Sequence, residues 1–256
     1  MNNHNITNCA WIPLGRSLRM LVSRKRLMGI SFLLFLATAI LTWFAYQFCL
    51  DFVDTLVNHT FSENQPSSTI FGWLKFKLIL GVEWLYLIVS RIVGFYLAFM
   101  VAYSLTSPGY VLLSTSAEKL HAGDYFVADN GYSLKIFAID LWEGIKIGIL
   151  GLLVSPVVLL VNFIPIVGQV IGFIFFTYYS ALLFVDYPSS RRGWSLGKKI
   201  KWLRSHSRVG FRLGLIPAVI SMIPVLNIFF MAILFPLLTI HTTLNFTDIE
   251  WHNRAK

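Results

Sequence analysis

Charge is scarce in this 256-residue chain: Asp, Glu, Lys and Arg together make up 13% of it, against roughly 25% in an ordinary soluble domain. With 56% hydrophobic residues and a mean hydropathy of +0.68, that deficit excludes a soluble globule, and the apolar content excludes a disordered chain. Cysteine is nearly missing. Two residues, Cys9 and Cys49, exclude a disulfide scaffold or a cysteine-built metal centre. There is no Gly-x-x-x-x-Gly-Lys run to cradle a phosphate, so nothing points to ATP-driven pumping. Neither a nucleophile elbow nor a His-Glu-x-x-His pair is present, and the six histidines lie at spacings unlike metal ligands. No enzyme, cofactor or metal site is expected. Acidic residues are few as well, 12 against 21 Lys and Arg, with none from Tyr187 to Thr247. In so apolar a chain the formal charge of +9 serves orientation in a bilayer and contact with anionic lipid rather than nucleic-acid binding.

What is present is a series of long charge-free runs, the signature of an all-α integral membrane protein, here a single membrane domain over residues 1–256. Crossing about 30 Å of hydrocarbon takes about 20 apolar residues in a helix. Residues 27–50 carry no charge and follow Arg16, Arg19, Arg24, Lys25 and Arg26, which predicts a first span with a cytoplasmic start. The run is too long for a cleaved signal peptide. A second span is expected at about 78–106, interrupted by Glu83 and Arg91, which lie about 80° apart around a helix. These two either share one interior face, or Glu83 lies in the interface while Arg91 snorkels. The polar residues of 107–146 predict a cytoplasmic segment with a turn at Asp129-Asn130-Gly131.

Two further runs, 147–185 and 213–247, are charge-free over 39 and 35 residues. One helix of 39 residues is about 58 Å long, nearly twice the hydrocarbon thickness, while two full spans with a turn need somewhat more than 40 residues. Each run carries the same interruption: Phe163-Ile164-Pro165-Ile166-Val167-Gly168-Gln169 in the first and Met222-Ile223-Pro224-Val225-Leu226-Asn227 in the second, their prolines 59 residues apart. Pro breaks a helix, and a neighbouring side-chain amide can bond the freed backbone groups. The runs therefore predict two Pro-broken re-entrant helical hairpins, with both chain termini cytoplasmic; four tight full spans are the alternative. Asn162, Pro165, Gly168, Gln169, Pro224 and Asn227 are candidate apex or pathway residues, either lining a wet path or capping local backbone.

Between the runs, residues 186–212 hold Arg191, Arg192, Lys198, Lys199, Lys201, Arg204, Arg208 and Arg212. A surface helix at Lys198, Lys201, Trp202 and Ser205 is expected to lay Trp202 into the interface and its lysines towards lipid phosphates. Arg191, Arg192, Lys198, Lys199 and Lys201 are the candidate membrane-surface basic patch. It is either an expression of the positive-inside bias or an electropositive mouth that concentrates a small anion.

In order and spacing, FIPIVGQ (163–169), DYPSSRRG (186–193) and MIPVLN (222–227), on a chain with Ser107-Pro108 after the second span, resemble the CysZ sulfate-permease family, whose superfamily includes etoposide-induced protein 2.4 of eukaryotes. The resemblance implies a multi-pass protein of the bacterial inner membrane with two long spanning helices and two partly inserted hairpins. It also implies a homo-oligomer that admits sulfate, or a related oxyanion, for cysteine biosynthesis. The family's anion site resembles a Gly-Ile-Arg-Arg turn, matched here by Ser23-Arg24-Lys25-Arg26, so Lys25 and Arg26 are the expected anion contacts with Arg24 nearby. Arg24 replaces the glycine, and lysine offers a point charge in place of a bidentate fork. Of the family's acidic pair after the second span only Glu118 is kept, with Thr115 at the other position. Two other functions fit the chain: a non-transporting membrane scaffold, as the eukaryotic branch allows, and a lipid-surface anchor.

Overall fold

The computed structural model describes residues 11–61, 70–123, 126, 134–223 and 226–254, and every regular element among them is an α-helix. In chain order these are α1 (Leu14–Ser23), α2 (Lys25–Phe61), α3 (Ile70–Ala122), α4 (Leu134–Val161), α5 (Val167–Ser190), α6 (Leu196–Ser205), α7 (Ser207–Ser221) and α8 (Leu226–Arg254). Four segments are long and apolar enough to cross a membrane: Lys25–Phe52, Trp84–Ala122, Leu141–Val158 and Val167–Ser190. The chain is thus a multi-pass membrane protein.

The expected cytoplasmic segment 107–146 is largely helix. α3 runs on through Pro108 to Ala122, and α4 starts at Leu134; the turn expected at Asp129-Asn130-Gly131 lies outside the described residues. The reason for the continuation is a polar helix face. Ser114, Glu118 and His121 stand at i, i+4 and i+7, one side of a helix, and each has a partner elsewhere in the chain. Ser114 Oγ lies 2.8 Å from Thr243 Oγ1, and His121 Nε2 lies 2.7 Å from Asp248 Oδ1; Glu118 meets two arginines, described below. Residues that lower the hydropathy of this segment form one helix face that meets partners elsewhere in the chain.

Two compact units divide the chain, residues 36–106 and residues 1–35 with 107–256. In the smaller unit the two helix segments run antiparallel. Thr38 Oγ1 donates to Thr106 Oγ1 at 3.3 Å, Tyr46 meets Phe95 edge to face at 5.5 Å, and Arg91 Nη2 lies 3.8 Å from Asp54 Oδ1. Arg91 therefore faces a carboxylate on α2, and the Glu83 side chain lies outside the described residues. Trp43, Phe44, Phe48, Phe52 and Trp84 are all exposed, an apolar surface that suits lipid.

In the larger unit α5 is the hub, packing on α4, α6, α7 and α8. A core of Ile147, Ala181, Leu182, Val185, Trp194, Trp202, Leu203, Leu213, Phe246 and Ile249 fills the space between these helices. A second cluster joins α3 and α8 to α5 through Tyr110, Phe184, Tyr187 and Phe235, with Tyr110 and Phe235 ring centroids 4.7 Å apart. α5 and α7 cross at glycine: a Cβ on Gly214 meets the Thr177 carbonyl and the Ala181 nitrogen.

α4 and α5 form one helical hairpin and α7 and α8 another. Their turns fall at 162–166 and 222–225, the two Pro-centred motifs; Pro224 and Val225 lie outside the described residues. At the first apex Val167 N donates to Pro165 O at 2.7 Å around Ile166, whose φ is 65° and ψ −61°. This is a γ-turn with positive φ, a rare and strained form. A β-branched residue there costs on the order of 1–3 kcal/mol of strain. Ile166→Gly is therefore expected to raise the thermal unfolding midpoint in detergent, by an amount equivalent to about 1 kcal/mol after glycine's own entropy cost. A lower midpoint would show that Ile166, exposed at the tip, contributes more through its side chain than the strain costs.

Candidate functional site

α1 and α2 are separated by one residue. Arg24 takes φ −107° and ψ 100°, an extended conformation, and its carbonyl accepts from Met28 N at 3.1 Å. α2 thus has an amino terminus of its own at Lys25, where the first-turn N–H groups have no carbonyl one turn earlier in the helix. Arg24, Lys25 and Arg26 are exposed, while Leu27 is fully buried and fixes the turn. Among the described residues none of the three cations lies in an ion pair. The three expected anion contacts therefore stand together, at the end of a helix whose dipole favours negative charge.

The five residues of the expected basic patch do not share one surface. Lys198 and Lys201 are exposed on α6, Lys198 over the Trp194 ring at 4.4 Å. Arg191, Arg192 and Lys199 turn inward. Arg191 Nη2 and Arg192 Nη2 lie 2.8 and 3.0 Å from the same oxygen, Oε1 of Glu118, and side-chain exposures are 8%, 11% and 3% for Arg191, Arg192 and Glu118. Phe126 lies under Arg191 and Phe246 under Arg192, each ring centroid 4.8 Å from the guanidinium carbon. Burial lowers the pKa of Arg192, and the Glu118 carboxylate acts in the opposite direction. Lys199 is fully buried and donates to Asp186 Oδ1 at 2.6 Å, with Ser190 Oγ donating to the same oxygen at 3.1 Å. Each of these cations turns inward to meet a buried carboxylate, because leaving either charge unpaired in the interior costs several kcal/mol.

Trp202 is likewise a core residue. Its Nε1 donates to Glu250 Oε1 at 2.8 Å and its ring packs against Phe246, so it does not present itself to the interface. Glu143 of α4 spans to α6: Oε2 accepts from Leu196 N at 2.9 Å and Oε1 from Lys146 Nζ at 2.6 Å. A carboxylate at a helix amino terminus satisfies an orphan donor and suits the dipole.

At the first apex Asn162, Pro165 and Gln169 are exposed and Gly168 is buried. A Cβ on Gly168 meets the Val161 carbonyl, and Gly172 lies against the Asn162 side chain. The turn closes on its own backbone, since the N–H groups of Asn162, Phe163, Ile164, Val167 and Gly168 all donate to main-chain carbonyls within the apex. Asn227 is the second residue of α8, with its side chain outside the described residues, as is all of Pro224.

Glu118 was read from the sequence only as a remnant of an acidic pair. Its partnership with Arg191 and Arg192, 73 and 74 residues away, carried one available signal. In a chain with 12 carboxylates, a carboxylate on the polar face of a helix and an Arg-Arg step at the end of an apolar run are natural partners. Arg212 also lies over the ring of Trp11, ahead of α1, at 5.6 Å.

A sequence model of the family described as sulfate transporter CysZ/etoposide-induced protein 2.4 matches residues 13–232. Among curated proteins no sequence matches the chain significantly.

Proposed function

The chain belongs to the sulfate transporter CysZ/etoposide-induced protein 2.4 family, and from that premise we propose that it is a sulfate permease of the bacterial inner membrane, supplying sulfate for cysteine biosynthesis. The observation that carries the reading is the break at Arg24. It sets three exposed cations, free of any ion pair among the described residues, around a helix amino terminus. In this reading Lys25 and Arg26 contact the anion through charge-assisted hydrogen bonds and Arg24 stands beside them. Lysine holds the oxyanion as a point charge, a looser grip than paired arginines give.

The hairpins α4–α5 and α7–α8 enter the membrane and return to the side they came from, which leaves both termini cytoplasmic. Helix length supports this. The charge-free part of α7 (213–221) is about 13 Å long at 1.5 Å per residue, well short of about 30 Å of hydrocarbon. The hairpin tips are apolar and exposed, with Phe163, Ile164, Met222 and Ile223 outermost, as suits insertion into lipid. Asn162, Pro165, Gly168, Gln169, Pro224 and Asn227 form the apices that border the anion's path. Lys198 and Lys201 face lipid phosphates, and copies of the chain assemble as a homo-oligomer.

Uptake of labelled sulfate into liposomes containing the purified protein tests the reading. Wild-type protein is expected to admit sulfate, and the Lys25→Ala/Arg26→Ala variant to lose at least about tenfold of that uptake, since each charge-assisted bond is worth about 1.5–3 kcal/mol. Equal uptake in the variant removes these residues from the site. No flux through well-folded wild-type protein moves the chain to the scaffold class.

A further inference from the structure

The segment that leads into the Arg24 break is held by an unusual attachment. The Asn245 side chain on α8 pairs with the backbone of Ile12 in both directions: Ile12 N donates to Oδ1 at 3.0 Å, and Nδ2 donates to Ile12 O at 3.2 Å. One turn earlier on α8, His241 Nδ1 lies 3.2 Å from Ser17 Oγ on α1 and 3.4 Å from Asn245 Nδ2. Trp11 closes over the group, its ring edge-on to His241 at 5.2 Å and its face under Arg212. Ile12, Ser17, His241 and Asn245 are all buried.

Two physical points follow. An apolar contact between α1 and α8 tolerates sliding, because burial is non-directional. A side-chain amide bonded to both groups of one residue, together with a hydroxyl–imidazole contact, permits a single register, since any slip leaves buried donors and acceptors unpaired. Second, α8 is the helix against which α1 packs among the described elements. The place of Ser23 and Arg24 at the far end of α1 is therefore set by this attachment on one side and by the buried Leu27 on the other.

We propose that Ser17, His241 and Asn245 are positioning residues of the anion site. By fixing the register of α1 on the second hairpin they set where Arg24, Lys25 and Arg26 stand, and they couple the site's affinity to the seating of α8. The inference rests on the sulfate reading of residues 24–26.

The experiment is sulfate binding by the full-length protein in detergent, with hydrogen exchange of residues 14–23 and thermal unfolding recorded on the same samples. His241→Phe keeps a ring beside Trp11 and removes the nitrogen. His241→Asn returns a polar atom at the position of Nδ1. Ser17→Ala removes one oxygen. Expected are faster exchange of 14–23 and about tenfold weaker sulfate binding in His241→Phe, a several-fold loss in Ser17→Ala, and affinity close to wild type in His241→Asn, as the loss of a buried hydrogen bond predicts. Unchanged sulfate affinity in His241→Phe and Ser17→Ala, with wild-type protein binding sulfate, overturns the positioning role alone. If His241→Phe does not fold, unchanged affinity in Ser17→Ala is enough to overturn it. Wild-type protein that binds no sulfate overturns the sulfate reading and this inference with it.

Discussion

Glu118→Ala is expected to lower stability by about 3–5 kcal/mol, the range for removing one partner of a buried ion pair. The Glu118 side chain is 3% exposed and both Arg191 and Arg192 converge on its Oε1, so the substitution removes the carboxylate that two buried guanidinium groups share. Thermal unfolding in detergent gives the check. A companion variant tests the cause: Glu118→Met/Arg191→Met/Arg192→Met, which removes all three charges, is expected to recover most of the loss, because apolar groups of similar volume replace buried ion clusters at little cost. A Glu118→Ala protein as stable as wild type shows that the arginines are solvated and that the cluster does not hold the end of α5.

Gly214→Ala is the second large effect. A Cβ at this position meets the carbonyl of Thr177 and the amide nitrogen of Ala181, which are main-chain atoms in the middle of α5 and cannot turn aside as a side-chain tip does. Accommodating one methyl group requires α7 to move away from the hub of the larger unit. The expected loss is about 3 kcal/mol, at the upper end of the cost of overpacking, and it exceeds alanine's roughly 1 kcal/mol advantage over glycine within a helix. Gly197→Ala is the control, since a Cβ there meets nothing within 4 Å; it is expected to be neutral or stabilising. Equal melting temperatures for the two variants contradict the close crossing.

The contrast between these residues shows which parts of the molecule are legible in sequence. Gly214 and Gly197 both sit in helices and look alike in a string of letters, whereas contact with α5 separates them. The sequence motifs around Pro165 and Pro224 fall where α4 gives way to α5 and α7 to α8, but proline alone does not mark the turns, since Pro156, Pro217 and Pro236 in the same charge-free runs lie inside helices. The identity of the apex bonds was not readable. The amides of Asn162 and Gln169 could be read as lining a path or as capping local backbone, and the apex N–H groups bond main-chain carbonyls around a positive-φ Ile166.

The polar stretch after the second span illustrates the same limit from the other side. Ser114, Glu118 and His121 lower the hydropathy of their window, which reads as a segment in water. Their spacing of four and three residues is also that of one helix face, and whether such a face meets solvent or other helices depends on Thr243, Arg191, Arg192 and Asp248, all more than 70 residues away. Among the basic residues the division is similar. Lys198 and Lys201 remain outside, while Lys199 between them is withdrawn to Asp186, since adjacent helix positions point about 100° apart and only one faces the core.

By itself the sequence determined that this chain is helical and lives in a membrane, and which family it belongs to. Those properties depend on local terms: hydrophobic run length and short motifs in fixed order. Tertiary structure alone decided which charges are paired inside and that Arg24, Lys25 and Arg26 stand exposed, how α1 is locked to α8, and where α5 and α7 touch. Each of these is a contact between residues distant in the chain, and its energy comes from desolvation and close packing that exist only once the helices are together.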